Sequence, residues 1–286
     1  MSLRSVALFA LLLVGAGCAG TVSSSSETGD ANAVPTASAT TSAIVIVERT
    51  VDPSRGSRAE ASARFVRVTA PATAADALRA IGAAIDLPAR GACATLASLA
   101  GGPAPREPSP IVELVDVGPV SIETDGMATR LLPRQLPDVT DVVSGVVYAR
   151  ALDPALLPAR SRYVVHVAGV REFSPADISA SGPGNPSEIR IGGEDAQGLL
   201  VPTGPAVDLA WTATAAADDV VYVDVNPGGV RCAFGDLGRA AVPASFFDDA
   251  GTFVVHRLHR EPLRVSGSAS GEIRFDFARS VAYLRH

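Results

Sequence analysis

The chain carries four histidines, His166, His256, His259 and His286. Two of them lie in His256-Arg257-Leu258-His259-Arg260. On a helix that spacing would put both imidazoles on one face and offer two nitrogen ligands to a metal. On a strand, residues three apart point to opposite faces. The flanking residues read as a strand, so no metal set is assigned. What remains is a basic strand end: His256, Arg257, His259, Arg260 and Arg264 form a candidate anion-attracting patch, with solvated arginines paired to Glu261 as the plainer alternative.

Carboxylates offer less. Asp218-Asp219 and Asp248-Asp249 are adjacent, so their side chains diverge on a strand, and both read as exposed turn aspartates. Asp138 and Asp141 could cap a turn or meet a cation. Asp224-Val225-Asn226-Pro227-Gly228 lacks the third ligand and the later Glu of a calcium loop, and reads as a hairpin turn. Gly267-Ser268-Ala269-Ser270-Gly271 has Ala where a nucleophile elbow needs Ser. The sequence contains no H-E-x-x-H, no phosphate-binding P-loop and no dinucleotide fingerprint. No catalytic residue, metal ligand or cofactor site is therefore assigned.

Composition narrows the chemistry further. All 24 basic residues are Arg, against 30 acidic ones, for a formal charge of −6. Without Lys there is no Schiff-base or P-loop amine. The acidic balance argues against a general nucleic-acid binder.

The N-terminus carries Arg4, an apolar run Val6–Val14, then Gly15-Ala16-Gly17-Cys18. This is the order of an export signal. Nine residues rise about 14 Å as a helix, too short to span a bilayer. The segment resembles a bacterial lipobox, although that pattern usually has Leu three residues before the Cys, where Gly15 stands. The resemblance implies a signal at 1–17 and a lipidated Cys18 as the mature N-terminus. Removing Arg4 with the signal takes the side-chain charge from −6 to −7. Residues 18–42, with Ser23-Ser24-Ser25-Ser26 and little to bury, read as a disordered tether. Cys93 and Cys232 then remain as an even pair that an oxidising compartment could join. Two separate thiols are the alternative, because Val230, Cys232 and Phe234 share what reads as a core face.

The elements that must position these groups are mostly strands. Residues 43–51, 63–69, 111–117, 120–124, 127–132, 142–150 and 163–170 are β-branched or alternating. Asp125-Gly126 is a hairpin-turn dipeptide. Thr73 and Asp76 form a capping box for a helix over 73–86, closed by Pro88. Residues 91–110 read as a loop around Cys93, and 175–186 as a domain boundary. Beyond it, 207–211, 220–225, 230–234, 252–260 and 272–278 are strands, and Pro243–Asp248 one helical turn. In the last strand Ile273, Phe275 and Phe277 point inward. Glu272, Arg274 and Asp276 point outward and protect it from edge pairing. The expected fold is mainly β: two β-sandwich-like domains, 43–180 with one short helix and 185–286 as an immunoglobulin-like sandwich.

The run from Trp211 through Val223-Asp224-Val225, Val230-Arg231-Cys232-Ala233-Phe234 and Val255-His256-Arg257-Leu258-His259-Arg260 is similar to C-terminal domains of uncharacterised lipoproteins from high-GC bacteria. That resemblance implies fold and export, and no activity. The expected function is a non-enzymatic binding or structural role in the bacterial cell envelope, held to the membrane by the N-terminal lipid. A protein or carbohydrate ligand is left open. The alternative is an exported hydrolase or carbohydrate-active enzyme with its site in first-domain loops or at the domain interface.

Overall fold

The computed structural model describes residues 39–69, 73–100, 112–136, 143–195, 199–200, 204–214, 216, 218–268 and 270–285. The expected export signal, Cys18, most of the expected tether, Asp138, Asp141 and His286 lie outside these residues.

The chain opens with β1 (Ala39–Val51), β2 (Arg58–Thr69), α1 (Ala74–Ala80), β3 (Ala92–Thr95) and α2 (Leu96–Ala100). Six strands follow: β4 (Val112–Leu114), β5 (Val120–Thr124), β6 (Met127–Arg130), β7 (Leu132–Leu136), β8 (Val143–Leu152) and β9 (Arg162–Val167). Next come β10 (Ala176–Ser181), β11 (Arg190–Ile191), β12 (Glu194–Asp195), β13 (Leu199–Leu200) and β14 (Ala206–Ala210). The last are β15 (Val220–Asn226), β16 (Val230–Gly235), β17 (Arg239–Pro243), β18 (Ala250–Pro262) and β19 (Ser270–Arg285).

The fold is mainly β, with sandwich packing. One large sheet runs β3-β16-β15-β18-β19-β1-β2-β4-β8-β7, with β13 added to β19. Two four-stranded sheets, β10-β9-β5-β6 and β12-β11-β14-β17, pack on its inner face. Each encloses a core. Ala43, Val45 and Val47 of β1 meet Phe65, Tyr148, Val165 and Phe275 under the first small sheet. Leu209, Trp211 and Val242 meet Val223, Cys232 and Phe253 under the second.

The expected division into 43–180 and 185–286 meets a shared sheet. β1 pairs in parallel with β19 over ten residues, Ser42↔Ser270 to Val51↔Arg279, and Ala37–His286 is one compact unit. Residues 176–181, expected within a boundary, form β10 against β9. Residues 39–42, expected at the end of the tether, begin β1 and pair with β2.

Local signals act where expected. Asp125 and Gly126 both take positive φ, 50° and 78°, the pattern that matches hairpin twist. Thr73 and Asp76 form the reciprocal capping box of α1. The helix is shorter than the sequence pattern predicts. It ends because Gly82 turns left-handed at φ 65°, and Ala83 and Ala84 donate back to the Leu78 carbonyl.

That early stop frees the next residues to run across the outer face of the large sheet. Ala83 packs on Ile44 and Ile46, and Ile85 and Leu87 pack on Tyr222, Ala233 and Leu258. The strap ends in β3, which pairs with β16 so that Cys93 faces Cys232 and the two are disulfide-bonded. Cys93 thus lies on a strand rather than in the expected loop. α2 follows it directly.

Candidate functional site

The strap covers only part of the outer face. Beside it, the register sets three carboxylates in a row on adjacent strands: Asp276 of β19 opposite Glu48 of β1, and Glu48 opposite Glu60 of β2. Like charges directly across strands repel. They line a cavity of about 360 Å³ together with Thr50, Arg58 and His256, within the size range of small-ligand sites.

The environments of the row differ. Asp276 accepts from the Tyr222 hydroxyl, and its other oxygen lies 2.9 Å from His256 Nδ1. Burial alone would raise its carboxyl, but His256 and the Tyr222 hydrogen bond outweigh that and hold it below the ordinary carboxylate range. Glu48 keeps solvent exposure in the cavity wall. Withdrawal of water by the surrounding walls raises its carboxyl, and repulsion from Asp276 and Glu60 adds to the shift, against Arg64 and His256. Two carboxyls pushed in opposite directions form an acid–base pattern.

Several other charged groups of the face are paired. His256 stacks on Tyr222 at 4.2 Å between ring centres, and the Arg231 guanidinium lies over the same ring at 4.7 Å. Arg231 binds Asp224 through two 2.7 Å hydrogen bonds and reaches the Asp86 carbonyl of the strap. Arg274 binds Glu272 and the Ala83 carbonyl. β19 is a central strand, so its outward charges guard no edge: Arg274, bonded to Glu272, holds the strap, and Asp276 lines the cavity beside it.

The five residues of the expected anion patch do not gather. His256 and Arg260 share the outer face of β18, with Leu258 between them, whereas Arg257 and His259 point the other way. Arg257 is buried, bonded to Asp236 and to the carbonyls of Gly184, Asn185 and Thr212. Asp236 also accepts from Trp211 Nε1 at 2.6 Å and from the backbone and hydroxyl of Thr214. Burial raises its carboxyl, but these bonds and Arg257 bring it below its ordinary value.

His259 bridges Asp219 at 2.6 Å and Glu261 at 3.1 Å. Asp219 is buried, not the exposed turn residue expected from its neighbours, while Asp248 and Asp249 are exposed. His166 lies on β9 of the first small sheet, between Asp177 at 2.7 Å and Glu123 at 3.1 Å. Hydrogen bonding to Asp219 raises the pKa of His259, and bonding to Asp177 raises that of His166. Among the described residues, no group of three or more His, Cys, Asp or Glu is arranged to hold a metal ion.

The row Asp276, Glu48 and Glu60 was not singled out from the sequence. Half of it had a signal. The turn Asp52-Pro53-Ser54-Arg55-Gly56 closes a hairpin whose register puts Glu48 opposite Glu60. Nothing local relates either residue to Asp276.

No family model matches the chain, and no curated protein matches it. Among solved structures it is compared with the Fcho1 mu homology domain of Danio rerio with bound Eps15 peptide, at 10% identity. The match covers 86% of this chain and 96% of that one, with a TM-score of 0.22.

Proposed function

We propose that this chain is a lipid-anchored protein of the bacterial cell envelope whose β-rich body serves a non-enzymatic binding or structural role. The observation that carries the reading is the N-terminal order: an apolar run at Val6–Val14, Cys18 directly after small residues, then a polar segment before the first strand. The Cys93–Cys232 disulfide supports an oxidising compartment. Mass spectrometry of the mature N-terminus tests the reading. The expected product begins at Cys18 with a diacylglycerol thioether, and Cys18→Ser releases the protein from the membrane fraction. An unmodified terminus downstream of Cys18 overturns the anchor.

The cavity supports a second reading, an exported carbohydrate-active hydrolase. It brings His256, Asp276, Glu48 and Glu60 together, and paired carboxyls in different environments suit glycoside hydrolysis. Turnover of a glycan panel that Glu48→Gln or Glu60→Gln abolishes would favour it. A wild-type protein inert on the panel counts against it.

A further inference from the structure

The strand register sets the groups around the outer-face cavity in two rows. In the first, Asp276, Glu48 and Glu60 stand opposite one another on β19, β1 and β2. In the second, two residues along, His256, Ala278, Thr50 and Arg58 stand opposite one another on β18, β19, β1 and β2. Residues two apart on a strand share a face and lie about 7 Å apart. All seven line the one cavity. Ala278 and Thr50 are small and sit between His256 and Arg58, so the second row dips in its middle.

The two rows offer a ligand different things. Asp276 is already engaged by Tyr222 and His256. Glu48 and Glu60 are exposed, and neither has a hydrogen bond or ion pair among the described residues. What sets Glu48 apart from other free carboxylates is its surroundings. Its carboxyl is pushed up, first by the loss of water and then by repulsion from Asp276 and Glu60. By contrast, the Ser54 hydroxyl lowers Asp52 and the Tyr148 hydroxyl lowers Asp116. A positive group placed between Glu48 and Glu60 would relieve the repulsion.

A cation alone is a poor complement, because Arg58 shares the cavity. The Arg58 guanidinium and the Thr50 hydroxyl are hydrogen-bond donors suited to an anion. The cavity is therefore bipolar, with carboxylates in one row and donors about 7 Å away in the next. We propose that it binds a small zwitterion of the α-amino acid class. The ammonium group lies between Glu48 and Glu60, the carboxylate meets Arg58 and Thr50, and the carbon skeleton lies over Ala278. His256, fixed by Asp276 and stacked on Tyr222, forms the wall beside it. A volume of about 360 Å³ also admits a side chain. The inference rests on the binding role proposed for the body and not on the lipid anchor.

The test is calorimetric titration of the chain from residue 18 onward carrying Cys18→Ser, which keeps the compact unit Ala37–His286 whole. The ligands are the standard L-α-amino acids and D-alanine. At least one is expected to bind. Its C-terminal amide and its N-acetyl derivative, which each keep one of the two charges, should bind about tenfold more weakly. Glu48→Gln and Arg58→Gln should each weaken the amino acid about tenfold. Arg58→Gln should leave the amide bound as well as before or better, and Glu48→Gln the N-acetyl derivative, because the partner charge is already missing. A merely structural role would not give that split. Arg239→Gln, on the second small sheet, leaves every affinity unchanged, and Trp211 fluorescence reports whether each variant is folded. No binding by any of the ligands, equal affinity for the amino acid and either derivative, or binding indifferent to both cavity variants overturns the proposal. Glycan turnover that Glu48→Gln abolishes would also overturn it, by assigning the cavity to hydrolysis. None of these outcomes alters the mass spectrum of Cys18, which tests the anchor separately.

Discussion

Arg257 illustrates how far a single residue's role depends on its surroundings. Its guanidinium is buried against Asp236 and three backbone carbonyls, so removing it would strand a charge in the interior, a change that typically costs about 3–5 kcal/mol. His259, two residues along, gives a pH dependence. Its bond to Asp219 raises its pKa in the fold, Glu261 adds to this, and burial opposes it. The proton is held more tightly folded than unfolded. The stabilisation is therefore complete below the ordinary histidine value of about 6.5 and is lost as pH rises through the higher folded-state value. Urea unfolding followed by Trp211 fluorescence should show stability falling across that window. His259→Asn should flatten the fall, with the remaining slope from His166, whose shift has the same sign. A variant profile parallel to the wild type would refute the role of His259.

At the scale of elements, the strap and its disulfide decide how much of the outer sheet face is open. The strap is held by the buried apolar contacts of Ala83, Ile85 and Leu87 and by hydrogen bonds from Arg274 and Arg231 to its carbonyls. It is locked where β3 meets β16. The bond closes a loop with a sequence separation of 139 residues. In the chain-entropy view such a loop contributes up to about 5 kcal/mol. Replacing Cys93 and Cys232 together by Ser should lower the unfolding free energy by several kcal/mol and speed hydrogen exchange in residues 83–95 before the remainder of the sheet. Unchanged stability and exchange would show that the strap holds without the bond. Gly145 marks a similar constraint where β4 meets β8. Its φ is 115°, and a Cβ there would lie 1.9 Å from the Leu114 carbonyl oxygen.

At the scale of the whole molecule, two cores share one sheet. β19 contributes Ile273, Phe275 and Phe277 to the first core and Val281 and Tyr283 to the second. Damage to one should therefore be felt in the other. Phe65 is fully buried in the first core, and the single tryptophan, Trp211, lies in the second. Phe65→Ala should cost about 3–5 kcal/mol, and the denaturation midpoint read by Trp211 should fall with it. A Trp211 transition that stays in place would mean that the two sandwiches unfold independently.

The amino-acid sequence by itself determined what is decided over short distances. β-branched alternation marks β1, β15 and β18, two positive-φ residues make the Asp125-Gly126 turn, and Thr73 with Asp76 starts α1. Each depends on neighbours a few residues apart, so each is legible in order along the chain. Glu48 opposite Glu60 lies at the limit of that reach, through one hairpin. Only the tertiary structure decided the rest. Asp276 reaches Glu48 through a parallel pairing of strands from opposite ends of the chain, and Cys93 meets Cys232 by antiparallel register. Arg257 is buried because Asp236 and carbonyls from distant loops converge on it. Alternation assigns a residue to one of two faces, but whether that face meets water, a strap or a second sheet depends on segments far away in the chain. The outward residues of β19 read in sequence as edge charges, and the fold alone placed them on a central strand.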